Sequence, residues 1–280
     1  MHPVMTDTDA LFARIAAALE RLAPPPPADA DPLDHPAYLW RDSALTAIAN
    51  FRAQPLDLLQ GIDAQRTALL DNSHRLAEAL PAHDVLLWGA RGTGKSSLVK
   101  SVVAALQAEG KPLALIEIGR ESLPTLRSLF ARVRGLDRRF ILFADDISFE
   151  AHGEEAKALR SLLEGGAEAR PDNARLYVTS NRRHLLPRDI AEQESAINAR
   201  DVVDDRLALS DRFGLSLGFH NVDQATYLAI VQAYARAHGF AYDEAAALAW
   251  SVTRGGRSGR VAWQYAQEAA GRQGIRMASA

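Results

Sequence analysis

Gly89-Ala90-Arg91-Gly92-Thr93-Gly94-Lys95-Ser96 is the stretch on which the fold of this 280-residue chain turns. It matches G-x-x-x-x-G-K-[ST] at every constrained position, with an aliphatic run, Val85 to Trp88, before it and a helix-forming stretch, Ser97 to Gln107, after it. That context separates a phosphate-binding loop from an ordinary glycine turn. The glycines let backbone amides close around phosphate oxygens, Lys95 reaches the outer phosphates, and the hydroxyl of Ser96 suits Mg2+. Gly89, Ala90, Arg91, Gly92, Thr93, Gly94, Lys95, Ser96 and Ser97 are therefore candidate nucleotide-binding residues.

Outward from the loop, short aliphatic runs at 85–88, 113–118, 140–144, 176–179 and 215–219 alternate with helix-like stretches at 95–108, 122–133 and 154–164. Strands apolar on both faces between crossover helices predict a parallel α/β sheet, here a core spanning 81–220. From Asn221 onward the stripes Tyr227/Ile230/Val231/Tyr234, Leu248/Val252 and Val261/Tyr265/Ala269 predict three helices, a small domain over 221–280. Upstream, Leu11, Ile15, Leu19 and Leu22 predict an amphipathic helix within 1–23, and the prolines from Pro24 to Pro36 predict a semi-rigid linker over 24–36. Leu45, Ile48 and Phe51, then Ile62, Leu69, Leu76 and Leu80, predict a helical region over 37–80 that Pro81 stops.

Composition removes several classes of function. Hydrophobic residues at 48% and charged residues at 24% describe an ordinary globular chain. A net charge of −3 excludes a surface that tracks nucleic acid throughout, so any such contact is local. The absence of cysteine excludes disulfides, thiolate metal sites and a cysteine nucleophile. His152, His184 and His220 show no metal-ligand spacing, so nucleotide-borne Mg2+ is the metal expected. Neither a secretion signal nor a bilayer-spanning run is apparent, so a cytoplasmic protein without membrane contact is expected. Of the 32 basic residues only Lys95, Lys100, Lys111 and Lys157 are lysines, and Lys95 carries the functional reading.

A phosphate loop needs a partner on the metal side. Phe140-Ile141-Leu142-Phe143-Ala144-Asp145-Asp146 supplies a buried strand ending in acids. Asp145 is assigned to Mg2+ through water, together with Ser96. Asp146 is assigned to polarise the attacking water, with Glu150 and a helix-capping role for Asp146 as alternatives. Arg175 to Asn181 is another strand, tipped by a residue that can orient that water, Asn181. Arg212 precedes the fifth strand, and Arg257 and Arg260 lie where the last helix opens.

In this order the motifs resemble those of an AAA+ ATPase over roughly residues 55–275. The resemblance implies a five-stranded parallel sheet of order 5-1-4-3-2 with a C-terminal helical lid, beside the N-terminal helical extension. It implies ATP between core and lid, Asn181 as the sensor on the fourth strand, Arg212 as an arginine finger acting in trans within a homo-oligomer, and Arg260 as the sensor of the lid. Arg257 competes for that last role. Leu58 to Asp63 resembles the segment against adenine, which puts Gly61 and Ile62 at the base. More narrowly, Gly-Thr-Gly-Lys-Ser-Ser (92–97), Phe-Ala-Asp-Asp-Ile-Ser-Phe-Glu (143–150), Thr-Ser-Asn-Arg-Arg-His-Leu (179–185) and Leu-Ser-Asp-Arg-Phe-Gly-Leu (209–215) resemble a bacterial ATP-binding family of unknown function.

The implied activity is Mg-dependent ATP hydrolysis coupled to remodelling or loading of a macromolecular partner. The alternative is an ATP-dependent switch or adaptor with little turnover. Asp146 stands where many relatives carry glutamate, one methylene longer, which favours slow turnover. No aromatic pore loop follows the second strand. Instead Arg120, Arg127, Arg132, Arg134, Arg138 and Arg139 face only Glu121 and Asp137. A nucleic-acid or protein client at 120–139 and a solvated, ion-paired face are the two readings of that excess.

Overall fold

The computed structural model describes residues 7–22, 29–147, 159–160, 162–163, 170–181 and 212–277. Glu150 and most of the 154–164 stretch lie outside the described residues, as do Pro24 to Pro27.

Five aliphatic segments form the parallel strands expected: β3 (Val85–Gly89), β4 (Leu113–Ile118), β5 (Arg139–Ala144), β6 (Ala174–Ser180) and β7 (Leu215–Phe219). Among the described residues the sheet has seven strands rather than five, so the expected order is incomplete: with β1 (Ala37–Arg41) and β2 (Ala44–Ala47) it runs β2-β1-β4-β5-β6-β3-β7. The succession β7-β3-β6-β5-β4 sits within it, extended at one edge by β1 and β2. β1 pairs parallel with β4 and antiparallel with β2, so the sheet is mixed.

The helical reading of 37–80 is thereby corrected. Only its later part is an α-helix, α2 (Asp63–Ala77), while Leu45 is a buried residue of β2 rather than part of a helical stripe. Asp42 and Ser43 join the two strands with φ of 50° and 60°, the left-handed pair that a two-residue hairpin requires. Residues 29–36 are likewise no free linker. The Leu45 N–H donates to the Asp29 carboxylate at 2.9 Å, the Tyr38 hydroxyl donates to the Asp31 carbonyl at 2.7 Å, and Arg138 donates to the Pro32 carbonyl at 2.9 Å. The strap lies along the sheet because three side chains hold it there.

Each face of the sheet is covered. α2 and α3 (Lys95–Ala108) pack Leu69, Leu76, Leu98 and Val102 against Leu87, Leu115 and Tyr177 on one side. A 3-10 segment, Arg120–Thr125, and α4 (Leu126–Val133) bury Leu123, Leu129 and Val133 on the other. The buried Tyr177 hydroxyl accepts from Asn72 at 3.0 Å and shares a 2.8 Å bond with Ser73, pinning α2 to β6 with no polar group wasted. The lid is three helices as expected: α5 (Gln224–His238), α6 (Glu244–Thr253) and α7 (Gly259–Arg272). Asp223, Asp243 and Ser258 cap them, each accepting from the amide three residues on. Leu58 of the 3-10 turn Leu56–Leu58 joins the lid's apolar cluster and ties the segment ahead of α2 to the lid.

The N-terminal helix α1 (Asp7–Leu22) exposes Leu11, Phe12, Ile15 and Leu19. Among the described residues no helix is long and apolar enough to cross a membrane.

Candidate functional site

Strand order builds the site. β6 lies between β3, which feeds the phosphate loop, and β5, which ends in the acids. Trp88 pairs with Ser180 and Ala144 with Val178, so the loop, Asn181 and Asp145-Asp146 emerge side by side at the carboxyl ends of three parallel strands. Asn181 bridges its neighbours as that position dictates. Its Oδ1 accepts from Lys95 Nζ at 3.1 Å, and its Nδ2 donates to Asp146.

Lys95 is the first residue of α3, 5% exposed, and its ammonium also donates to the Gly89 carbonyl at 2.9 Å and the Ala90 carbonyl at 2.7 Å. Burial pushes it down to about 8, opposed by the Asp145 and Asp146 carboxylates and reinforced by Arg260 and Arg91. Gly89 and Ala90 thus serve the lysine with carbonyls, whereas Arg91 through Ser97 line the cavity itself.

The acids divide their work. Ser96 Oγ donates to Asp145 Oδ1 at 2.6 Å, and Thr179 Oγ1 donates to the same oxygen. A hydroxyl and a carboxylate held together are hard oxygen donors of the kind Mg2+ takes, so this pair fits the metal assigned to it. Asp146 adopts φ of 57°, a left-handed backbone rare for aspartate, fixed by its N–H donating to Thr179 Oγ1 at 2.8 Å. Its Oδ2 pairs with Arg120 at 2.7 Å and Arg91 at 3.3 Å. These are the contacts of Asp146 among the described residues; the segment it could cap as a helix begins after Ile147, outside them.

The lid closes the other wall. The Arg260 N–H donates to the Gly92 carbonyl at 3.3 Å, and a side chain on Gly92 would press on Ser258 and Arg260. Arg260 lines the cavity while Arg257 does not, which separates the two candidates from the Gly-rich approach to α7. Gly61 and Ile62 line the opposite end, Gly61 against Thr226 of α5 and Ile62 beneath Gly94. The cavity measures about 650 Å3, within the ~300–1,000 Å3 usual for small-molecule sites. Arg212 is exposed ahead of β7 and does not line it.

Sequence reasoning missed two residues here. Thr179 opens the Thr-Ser-Asn-Arg-Arg-His-Leu stretch with no role that its position announces, yet its hydroxyl contacts both acids. Arg120 reads from sequence as one more member of the arginine excess, yet it reaches across to Asp146. Arg132 and Arg138 are likewise engaged internally, with Asp29 and with the Pro32 carbonyl. Much of the positive excess at 120–139 therefore holds the chain together.

A phosphate loop, an acid-tipped strand and a helical lid around one cavity define the AAA+ class of P-loop ATPase folds. The chain belongs to the family described as protein of unknown function (DUF815), whose model matches residues 33–273. Among solved structures it resembles Orc1 from Aeropyrum pernix, in complex with DNA, at 14% identity and a TM-score of 0.53, covering 76% of this chain and 61% of that one. It also resembles RuvB from Thermotoga maritima, a Holliday junction branch migration motor, at 18% identity and a TM-score of 0.49, covering 78% of this chain and 64% of RuvB. The chain thus spans less than two thirds of either relative. No curated protein matches it.

Proposed function

We propose that this protein binds MgATP between core and lid and hydrolyses it to ADP and phosphate, using a neighbouring copy to complete the site. The observation that carries this reading is the continuous chain Lys95–Asn181–Asp146 beside Ser96–Asp145 in one cavity. Lys95 and the loop amides hold the outer phosphates, and Arg260 adds charge from the lid. Ser96 and, through water, Asp145 would hold Mg2+, which would supply charge neutralisation at the phosphate oxygens. Water oriented by Asn181 attacks the γ-phosphorus in line, the bond to the bridging oxygen breaks, ADP leaves, and Asp146 takes the water's proton. The energy released would drive remodelling or loading of a macromolecular client.

A lysine at about 8 sets a pH dependence. It is charged below that value and neutral above it, and bound triphosphate favours the charged form. ATP affinity is therefore expected to fall about tenfold from pH 7 to pH 9, measured by titration with a fluorescent ATP analogue.

Arg212, exposed and outside its own chain's cavity, suits a neighbour's site, where a trans arginine is worth ~10³ to 10⁵ in rate. Arg212→Ala and Lys95→Ala should each be nearly inactive alone, whereas an equimolar mixture should recover turnover, because one variant supplies intact pockets and the other intact fingers. A mixture that forms mixed assemblies yet stays inactive overturns the shared site. A second reading, a switch with little turnover, is favoured by the hold of Arg91 and Arg120 on Asp146. Wild type that binds ATP but releases no phosphate at any protein concentration would establish it.

A further inference from the structure

Behind the phosphate loop a second cleft opens, and nothing in the ATPase reading uses it. It measures about 570 Å3 and is bounded by Arg91 of the loop, Asn221 and Val222 after β7, and the α6–α7 connection carrying Arg254 and Arg257. Among the described residues that line it none is acidic. In a chain of net charge −3, three guanidiniums around one cleft are a local concentration of positive charge.

The arginines are not consumed by partners. Arg254 stacks 4.7 Å from the centre of the Trp250 ring, which fixes its plane and leaves the in-plane N–H edge for an anion. Arg257 reaches the neutral Gln224 Oε1 at 3.4 Å. The carboxylate that feels its charge, Asp223, is committed to the Thr226 amide as a helix cap. Arg91 holds Asp146 at 3.3 Å, more loosely than Arg120 at 2.7 Å, and its side chain is 71% exposed. The remaining lining is glycine, serine, asparagine and small aliphatics, with no aromatic pocket to seat a protein partner's anchor residue. That lining suits a repeating, sequence-independent anion.

We propose that this cleft binds the phosphodiester backbone of a nucleic-acid strand through Arg254 and Arg257, and that the bound phosphate draws Arg91 away from Asp146. The coupling rests on the ATPase reading, since Arg91 is the one guanidinium shared by the cleft and the catalytic carboxylate. The binding does not rest on it.

The test separates the two. Anisotropy of a labelled single-stranded oligonucleotide is measured against wild type and the Arg254→Ala/Arg257→Ala variant, with polyglutamate and inorganic phosphate as competitors and phosphate release recorded in parallel. Wild type should bind at least about tenfold more tightly, and the variant's salt slope should shrink by about 0.7 for each phosphate it no longer neutralises. The strand should raise turnover several-fold in wild type and leave the variant at its unchanged basal rate. Equal binding by both proteins overturns the site. So does competition by polyglutamate as strong as by unlabelled strand, which would assign an acidic protein partner, or by inorganic phosphate as strong per phosphate, which would assign a free phosphate. Variant-sensitive binding in a protein that never turns over ATP supports the cleft and removes the hydrolytic reading.

Discussion

Lys95→Ala abolishes detectable ATP binding and lowers phosphate release at least ~10²- to 10³-fold, the scale on which removal of one preorganised electrostatic group is felt in a site shielded from water. The ammonium sits at the meeting of the loop and the sensor strand, on the carbonyls of Gly89 and Ala90 and on Asn181. Among the described residues no other lysine lines the cavity; the Arg91 guanidinium is paired with Asp146 at one rim, and Arg260 enters from the lid, its backbone N–H on the Gly92 carbonyl. Stability should change little. Burying the ammonium is costly enough to bring it down to about 8, so its loss removes a burden as well as three hydrogen bonds. The measurements are calorimetric titration with MgATP, phosphate release and a thermal melt. A variant that melts like wild type and binds ATP within about twofold of it would remove Lys95 from the site.

The parallel core was legible because its inner strands are apolar on both faces, a signal that needs no tertiary information. Val85–Gly89 is buried throughout, and nothing along it competes with a strand reading. The edge hairpin was not legible for the opposite reason. β1 and β2 are five and four residues long, and their turn is Asp42-Ser43 rather than a glycine-bearing pair. Leu45, Ile48 and Phe51 happen to fall at helical spacing. Tertiary packing decided there: Trp40 and Leu45 bury against the face covered by α4, and the Trp40 indole N–H donates to Thr125 at 2.8 Å.

In the site, residues carried by a local motif were legible and residues brought in by strand order were not. The loop, Ser96 and Asp145 follow from patterns whose chemistry is complete within a few residues. Thr179 acts on Asp145 across 34 positions of sequence, and Arg120 acts on Asp146 across 26. Their roles exist only once β5 and β6 are adjacent and the segment after β4 has turned toward them. An arginine surplus is read from sequence as free surface charge, but here Arg120, Arg132 and Arg138 are each engaged within the chain, by an acid, a strap residue and a carbonyl.

Gly89→Ala is expected to damage fold and site together, through a collision that charge chemistry cannot relieve. Gly89 closes β3 at φ of 128°, a backbone that L side chains avoid, and an added Cβ would stand 2.0 Å from the Phe219 carbonyl oxygen and 2.9 Å from its carbon. Those are backbone atoms of β7, paired with Gly89 in the sheet, so no rotamer change gives way. Either β7 parts from β3 or the Gly89 peptide turns, and that peptide's carbonyl accepts from Lys95. The cost is about 3 kcal/mol or more, a fall in Tm of ~6 to 12 °C, with ATP affinity lost in whatever remains folded. Gly110→Ala separates collision from backbone strain. Gly110 also has a positive φ, 78°, but nothing lies within 4 Å of its added Cβ, so it should lose only about 1 kcal/mol and keep ATP binding. Equal losses of Tm in the two variants would mean that the packing of the loop strand on β7 contributes nothing. A larger loss at Gly89, accompanied by failure to bind ATP, ties the geometry of the nucleotide loop to the pairing of the sheet's last strand.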